Sequence, residues 1–127
     1  ALEDNIVEIF STKEIIPSAG QGVVALQCRK NDDQINSILE KVNHQETHQR
    51  VSAERNVLKI LEGDCETAVG AHAYIDDDKL ILEAELFSLD GSQRFYEKET
   101  SKIEDAEILG KEIGQKLKLK SKDTYKK

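Results

Sequence analysis

The chain has 127 residues, of which 38% are hydrophobic and 5% aromatic, so it can form one ordinary domain with a modest aliphatic core and a short extension. Its formal net charge of -7 argues against a nucleic-acid surface, which needs clustered positive charge to neutralise phosphates. No apolar run approaches the roughly 20 residues of a membrane span. Two cysteines make no disulfide framework, so we expect a cytoplasmic protein that binds neither nucleic acid nor membrane.

Two short elements are predicted near the start of the chain. Ile6 to Phe10 has the length of a short strand, and Ser11 to Glu14 has capping-box spacing for one helical turn. Pro17 then ends that turn, because proline cannot continue a helix.

A glycine-flanked bend comes next and leads into an apolar run. Gly20 and Gly22 flank Gln21, and Val23 to Cys28 is so continuously apolar that it predicts a strand with neighbours on both faces. Cys28 is interpreted as a small apolar residue of that strand. The polar sequence Asn31-Asp32-Asp33 is the clearest break, so we expect an extension at residues 1–32 and a compact domain at residues 33–127.

Three helices are predicted from apolar residues at helical spacing. They run from about Asp33 to Val42, from about Gln45 to Leu61, where Gly63 stops the helix, and from about Glu104 to Leu117. The residues expected on their inward faces are Ile35, Ile38, Leu39 and Val42, then Ala53, Val57, Ile60 and Leu61, and finally Ala106, Leu109, Ile113 and Leu117.

Three strands lie between the second and third helices. They are predicted at Thr67 to Ile75, Leu80 to Phe87 and Arg94 to Glu99, joined by short turns at Asp76–Asp78 and Asp90-Gly91. Short connections make neighbouring strands antiparallel. The expected fold is therefore α+β, a three-stranded antiparallel sheet with about three helices on one face.

Cys65 lies where the second helix stops and the first strand begins, and it is the strongest candidate for chemistry. Gly63 and Gly70 on either side allow backbone to come close to a bulky group. Asp64 and Glu66 give a thiolate no electrostatic help, so the stretch alone favours a structural thiol over a reactive one.

Two segments together resemble one family. They are PSAGQGVVALQCR at residues 17–29 and ERNVLKILEGDC at residues 54–65, with NHQET at residues 43–47 adding to the likeness. In this pattern the chain resembles the last part of porphobilinogen deaminase, also called hydroxymethylbilane synthase. The resemblance extends more weakly through Asp90-Gly91-Ser92 to the final helix, and it implies that the compact domain is the family's third domain.

The resemblance implies roles for three residues. Cys65 would attach a dipyrromethane cofactor through a thioether, and sulfur is a strong nucleophile toward such a carbon centre. Arg29 would help bind carboxylate side chains of cofactor or substrate, although a surface arginine closing a strand is the alternative. Gln21 would contact the cofactor, although a glutamine that only satisfies turn backbone is nearly as good an interpretation.

Three residues depart from the family pattern, and much of the family's catalytic machinery is not expected in this chain. Asp64 replaces a usual glycine, Ala68 a common proline and Gln27 a frequent acidic residue. The family's catalytic aspartate and most of its carboxylate-binding arginines belong to its first two domains. The resemblance also implies that residues 1–32 are the end of the family's second domain and a returning strand of its first.

A transferase that condenses four porphobilinogen units into hydroxymethylbilane, in haem and other tetrapyrrole biosynthesis, is expected only for the full-length parent. The chain begins at Ala1 without methionine, which is expected of a processed chain or a fragment. A fragment should be inactive and contain no catalytic residue. Its residues 1–30 should be either disordered or paired in a non-parental way, with the 23–29 strand folding onto the small sheet or exchanging between two copies in a dimer. The alternative is a free-standing α+β interaction module whose cysteine is structural.

Other charged residues are given structural interpretations. Arg50 and Arg55 are interpreted as helix-surface or interdomain salt-bridge residues, and the lysines after residue 115 as a solvated, frayed terminus. His44 and His48 have the spacing of two metal ligands but no evident third, so no metal site is predicted.

Overall fold

The computed structural model describes residues 2–62 and 67–126. It contains a three-stranded antiparallel sheet and three α-helices, which confirms the predicted α+β class. Within the described ranges, no helix is long and apolar enough to cross a membrane.

The N-terminal region is mostly irregular. A short 3-10 helix at Leu2–Asn5 is followed by turns, and Glu14 closes the predicted capping box by accepting hydrogen bonds from the Ser11 amide and hydroxyl at 2.8 and 2.7 Å. The strands predicted at Ile6 to Phe10 and Val23 to Cys28 are wrong, since the described chain has no strand before residue 69. An isolated strand leaves its backbone groups unpaired, and no second strand lies beside either segment within the described residues.

The first helix, α1, spans Asp33–Val42 as predicted, and the Asp32 carboxylate caps it by accepting from the Ile35 amide at 3.2 Å. Its apolar face is not buried, however. Ile38 is 49% exposed and Val42 63% exposed, and no residue of α1 is fully buried. Periodicity therefore located this helix correctly, but packing on the sheet is left to the other two helices.

Helices α2 (Gln45–Leu61) and α3 (Ala106–Ser121) pack against each other and cover one face of the sheet. The bounds of α2 were predicted, whereas α3 begins after a 3-10 turn at Ile103–Asp105 and ends four residues later than expected, at Ser121 rather than Leu117. The predicted inward residues are buried except Ile60, which is half-buried.

Two glycines allow α2 and α3 to approach closely. A Cβ at Gly110 would overlap the carbonyl oxygen of Ala53, and one at Gly114 would lie 2.8 Å from Cβ of Ile60. Each glycine lowers helix propensity by about 1 kcal/mol relative to alanine, and the close packing of α2 and α3 requires this loss.

The sheet is a meander of β1 (Val69–Asp76), β2 (Lys79–Phe87) and β3 (Arg94–Lys102), in the order β1-β2-β3. Asp77 and Asp78 both have positive φ, as a two-residue hairpin turn that matches strand twist requires. The residues of β2 on the helix side are all fully buried, namely Leu80, Leu82, Ala84 and Leu86. The core of the protein lies between this face and the two helices.

The C-terminal residues are docked, so the prediction of a frayed terminus is wrong. Tyr125 is 1% exposed, and its hydroxyl donates to the Leu61 carbonyl at 2.9 Å. Lys116 and Lys120 form ion pairs with Glu99 and Glu97 of β3. Acidic residues of β3 thus hold the basic side of α3. Local composition alone did not indicate these contacts.

Candidate functional site

The candidate site is built around the connection between α2 and β1. Cys65 belongs to residues 63–66, which are outside the described ranges, so its role in cofactor attachment remains a prediction. The two ends of the connection are described. Helix α2 ends at a left-handed Glu62 with φ 53°, and β1 begins at Val69, directly against the core.

The helix end of this connection is held by the C-terminal residues. The Glu62 carboxylate accepts from Lys118 at 2.9 Å and from Lys126 at 3.1 Å. The hydrogen bond from Lys118, followed by that from Lys126, lowers the pKa of Glu62. Glu62 is therefore an ionised, paired carboxylate at neutral pH, and both sides of the Leu61–Glu62 terminus are anchored.

The segment that carries the glycine-flanked bend lies against the start of β1. The Ala71 amide donates to the Pro17 carbonyl at 2.9 Å, and Ile16 is 8% exposed. Gly70 permits this contact, since a Cβ there would lie 2.6 Å from the Ile16 carbonyl oxygen. The segment just before the bend is thus in contact with the strand that begins just after the Cys65 connection.

The bend itself has open space beside it. Gly20 and Gly22 both have φ of 75°, a conformation that favours glycine. The exposed Gln21 accepts at its Oε1 from the Ser18 hydroxyl at 3.0 Å and lines a cleft of about 380 Å³ with Arg50, Glu54 and other residues. The structure therefore places predicted residue Gln21 beside α2 and β1.

Arg50 and Glu54 of α2 reach the free edge of β1. The Arg50 Nε donates to the Ala73 carbonyl at 2.7 Å, and the Glu54 Oε1 accepts from the Ala73 amide at 2.8 Å. The interpretation of Arg50 as a helix-surface or interdomain salt-bridge residue is wrong for this structure, because its guanidinium bonds backbone within the domain. One sequence signal pointed to these residues: Arg50 lies seven residues and Glu54 three residues before the buried Val57, near the inward face of α2.

The other predicted site residue, Arg29, lies apart from Gln21. Its side chain is 91% exposed and pairs weakly with Asp32 at 3.4 Å, in a cleft formed by residues 29–34. The neighbouring Cys28 is half-buried outside any strand, and its thiol donates to Asn36 Oδ1 at 2.9 Å. The role predicted for Arg29 gains no support from its described contacts and remains a prediction.

The two histidines considered as metal ligands have a different arrangement. His44 is the N-cap of α2, and its Nδ1 accepts from the Thr47 amide at 3.3 Å, while His48 lies inside the helix. Among residues 2–62 and 67–126, no three histidine, cysteine or acidic side chains form a group that could hold a metal ion.

The sheet face opposite the helices bears a hydrogen-bonded polar cluster. Glu83 accepts from Tyr96 at 2.8 Å, from Lys98 at 3.0 Å and from Tyr74 at 3.1 Å. Burial raises the pKa of Glu83, but these three hydrogen bonds outweigh it and leave the pKa below its usual value. The cluster links all three strands across the open face, so we interpret it as structural.

Taken together, the fold and the site define a class of protein: an open-faced α+β domain in which a cysteine-bearing connection joins its longest helix to the edge strand of a small meander. The sequence model described as "Porphobilinogen deaminase, C-terminal domain" matches residues 48–119, from the first turn of α2 to the last turn of α3. The chain belongs to this family.

Curated relatives agree with the family match. Porphobilinogen deaminase of Desulforamulus reducens is 35% identical over 115 residues, and that of Coxiella burnetii is 37% identical over 116 residues, each alignment covering 91% of this chain. The Nitrobacter hamburgensis protein of the same name is 31% identical over 124 residues, or 98% of this chain. The chain spans 37% to 39% of the length of these relatives.

Proposed function

We propose that this chain is the C-terminal portion of a porphobilinogen deaminase, the transferase that condenses four porphobilinogen units into linear hydroxymethylbilane in tetrapyrrole biosynthesis. The observation that carries the proposal is that the family match spans the elements on both sides of the Cys65 connection, α2 and β1. The predicted cytoplasmic location belongs to the same proposal.

In this proposal Cys65 holds a dipyrromethane cofactor through a thioether, and the cofactor supplies the primer on which condensation begins. The bend is open beside its glycines, because a Cβ at Gly20 or Gly22 would meet no described atom within 4 Å. Gln21 can offer a side-chain amide from that bend, and the exposed guanidinium of Arg29 is accessible to a carboxylate.

The described part of the chain offers little for the proton transfers of the reaction. Glu62, a carboxylate next to the connection, is held ionised by Lys118 and Lys126, so it is a poor general acid at neutral pH. The Glu54 carboxylate is already occupied by two backbone amides. We therefore propose that this chain alone neither condenses porphobilinogen nor assembles the cofactor, and that it carries a free Cys65 thiol.

The same proposal divides the chain at residue 32. Residues 33–127 form the cofactor-attachment domain, and residues 1–32 belong with the end of the second domain and a returning strand of the first. Large exposed apolar residues in this extension support the division, among them Val7 at 100% exposed and Val24 at 86% exposed. Non-parental dimerisation through residues 23–29 remains a prediction, which size-exclusion chromatography over a range of concentrations tests.

The decisive test is intact mass in the longer parent protein. Wild type should carry an adduct of two pyrrole units, Cys65→Ser should lose both the adduct and activity, and Cys28→Ser, the matched control, should keep both. A parent protein that is active with an unmodified Cys65 would refute the attachment proposal. Absence of both adduct and turnover in wild type would favour the free-standing interaction module.

A further inference from the structure

Glu54 makes an unusual pair of contacts for a side chain on a helix. The residue is 5% exposed, and its two carboxylate oxygens bond two different segments that are distant in sequence. Oε1 accepts from the Ala73 amide of β1 at 2.8 Å, and Oε2 accepts from the Gly20 amide at 2.7 Å. Hydrogen bonds to an ionised acceptor are about twice as strong as neutral ones, and burial keeps water from competing.

These contacts fix the bend at a second point. The Pro17 carbonyl is already bonded to the Ala71 amide, and Gly20 follows three residues later. Without the Glu54 contact, the chain after Pro17 could rotate away from α2, because Gly20 and Gly22 restrict the backbone little. With that contact, residues 17–20 are held at both ends against β1 and α2.

Arg50, one turn earlier on α2, completes the arrangement. Its Nε donates to the carbonyl of Ala73, the residue whose amide donates to Glu54. The two side chains therefore satisfy both backbone groups of one edge-strand residue, and β1 cannot shift without breaking them. This couples the position of the bend to the strand that follows the Cys65 connection.

We propose that Glu54 is a positioning residue: its carboxylate holds the Gly20–Gly22 bend against β1, and so sets where Gln21 lies relative to α2 and β1, the elements on either side of the Cys65 connection. The inference rests on the proposed function for its role in catalysis, but the carboxylate contact can be tested without any activity. Glu54→Gln is the informative change, because it keeps the size of the side chain and replaces one of two acceptors with a donor.

The matched control is Glu85→Gln. Glu85 is 8% exposed and also forms an ion pair, but its described hydrogen bond goes to Arg94 at 2.8 Å and not to the bend. Amide hydrogen exchange by NMR should show Gly20 exchanging about tenfold to a hundredfold faster in Glu54→Gln, the range expected for one hydrogen bond to a charged group. Exchange at Leu82 in the core should not change, and Glu85→Gln should leave Gly20 as in wild type.

Unchanged exchange at both Gly20 and Ala73 in a folded Glu54→Gln chain would overturn the inference, because the one remaining amide oxygen can keep only one of the two backbone amides. Equal acceleration at Gly20 and Leu82 would overturn it as well. If the variant does not fold, the wild-type chain gives the answer. A scalar coupling through the hydrogen bond, from the Gly20 amide nitrogen to the Glu54 carboxyl carbon, is expected at a size similar to that from Ala73. Its absence, with the Ala73 coupling present, would equally refute the contact.

The role in positioning is tested in the longer parent protein. Glu54→Gln should lower kcat for porphobilinogen at least tenfold with little change in Tm, and Glu85→Gln should not. Accelerated exchange at Gly20 with unchanged kcat would overturn the positioning role alone. A parent protein without porphobilinogen turnover would instead refute the proposed function, while the exchange result would still decide whether the contact exists.

Discussion

Residues 6–42 and residues 45–126 both contain apolar side chains at regular spacing, but only the second region buries most of them. Ile16 is the one residue of the first region in the buried hydrophobic set, whereas Val57, Leu82 and Ile113 represent a continuous core in the second. The comparison shows that an apolar pattern can form its predicted helix, as in α1, without being buried, because burial requires a second surface of matching shape.

The largest effect is expected from the core of the domain. Leu82 is fully buried between the sheet and the helices, so Leu82→Ala should lower the free energy of unfolding by about 2–5 kcal/mol through lost burial and an unfilled cavity. Chemical denaturation measures the change. Val7→Ala is the control, because Val7 is 100% exposed and should change stability by less than about 0.5 kcal/mol. Similar losses in both variants would contradict the comparison.

The second prediction concerns the α2–α3 contact, where helix propensity and packing have opposite effects. Alanine at position 110 would gain about 1 kcal/mol of helix propensity at an exposed site. Here its Cβ would overlap the Ala53 carbonyl, so Gly110→Ala should instead destabilise the domain by about 1–3 kcal/mol. A stabilised variant in urea denaturation would show that α2 and α3 are not in such close contact.

Much of the domain was predictable because its signals are local. The bounds of α1 and α2 follow from apolar periodicity and capping residues, and the first hairpin from its aspartate-rich turn. Long-range contacts were not predictable. The docking of Tyr125 on Leu61 and the exposure of the α1 face both depend on which surfaces meet, and no local pattern specifies that.

The candidate site divides in the same way. The resemblance drew attention to Gln21 and Cys65 as residue types in a pattern, but it did not indicate that Glu54 bonds the Gly20 amide. That contact joins residues 34 positions apart and uses the backbone amide of Gly20. Since every residue except proline has a backbone amide, the sequence does not indicate which one has this role. The roles of Gln21, Cys65 and Arg29 remain predictions.

The third prediction uses pH to probe the second hairpin of the domain. Hydrogen bonds from the Ser88 hydroxyl and then from the Ser92 amide and hydroxyl lower the pKa of Asp90 from 3.8 to about 2. A lowered pKa in the folded state means that this contribution to stability is complete above about pH 4 and is lost as pH falls toward 2. Asp90→Asn should therefore be less stable than wild type at pH 7, and the difference should shrink between pH 4 and 2. A difference independent of pH over this range would show that the charge of Asp90 is not involved.

The smallest effect is expected in α1, where the comparison between the two regions can be sharpened. Ile38 is 49% exposed on the apolar face of a helix that buries no residue, so Ile38→Ala should change the unfolding free energy of this chain by less than about 0.5 kcal/mol. In the longer parent protein the same change should cost more, if the proposed preceding domains cover this face and remove it from water. Denaturation of both proteins, with Leu82→Ala as the reference for full burial, measures the difference. A loss near that of Leu82→Ala in the 127-residue chain would mean that α1 already has a packing partner, and equal small effects in both proteins would mean that the preceding domains leave α1 exposed.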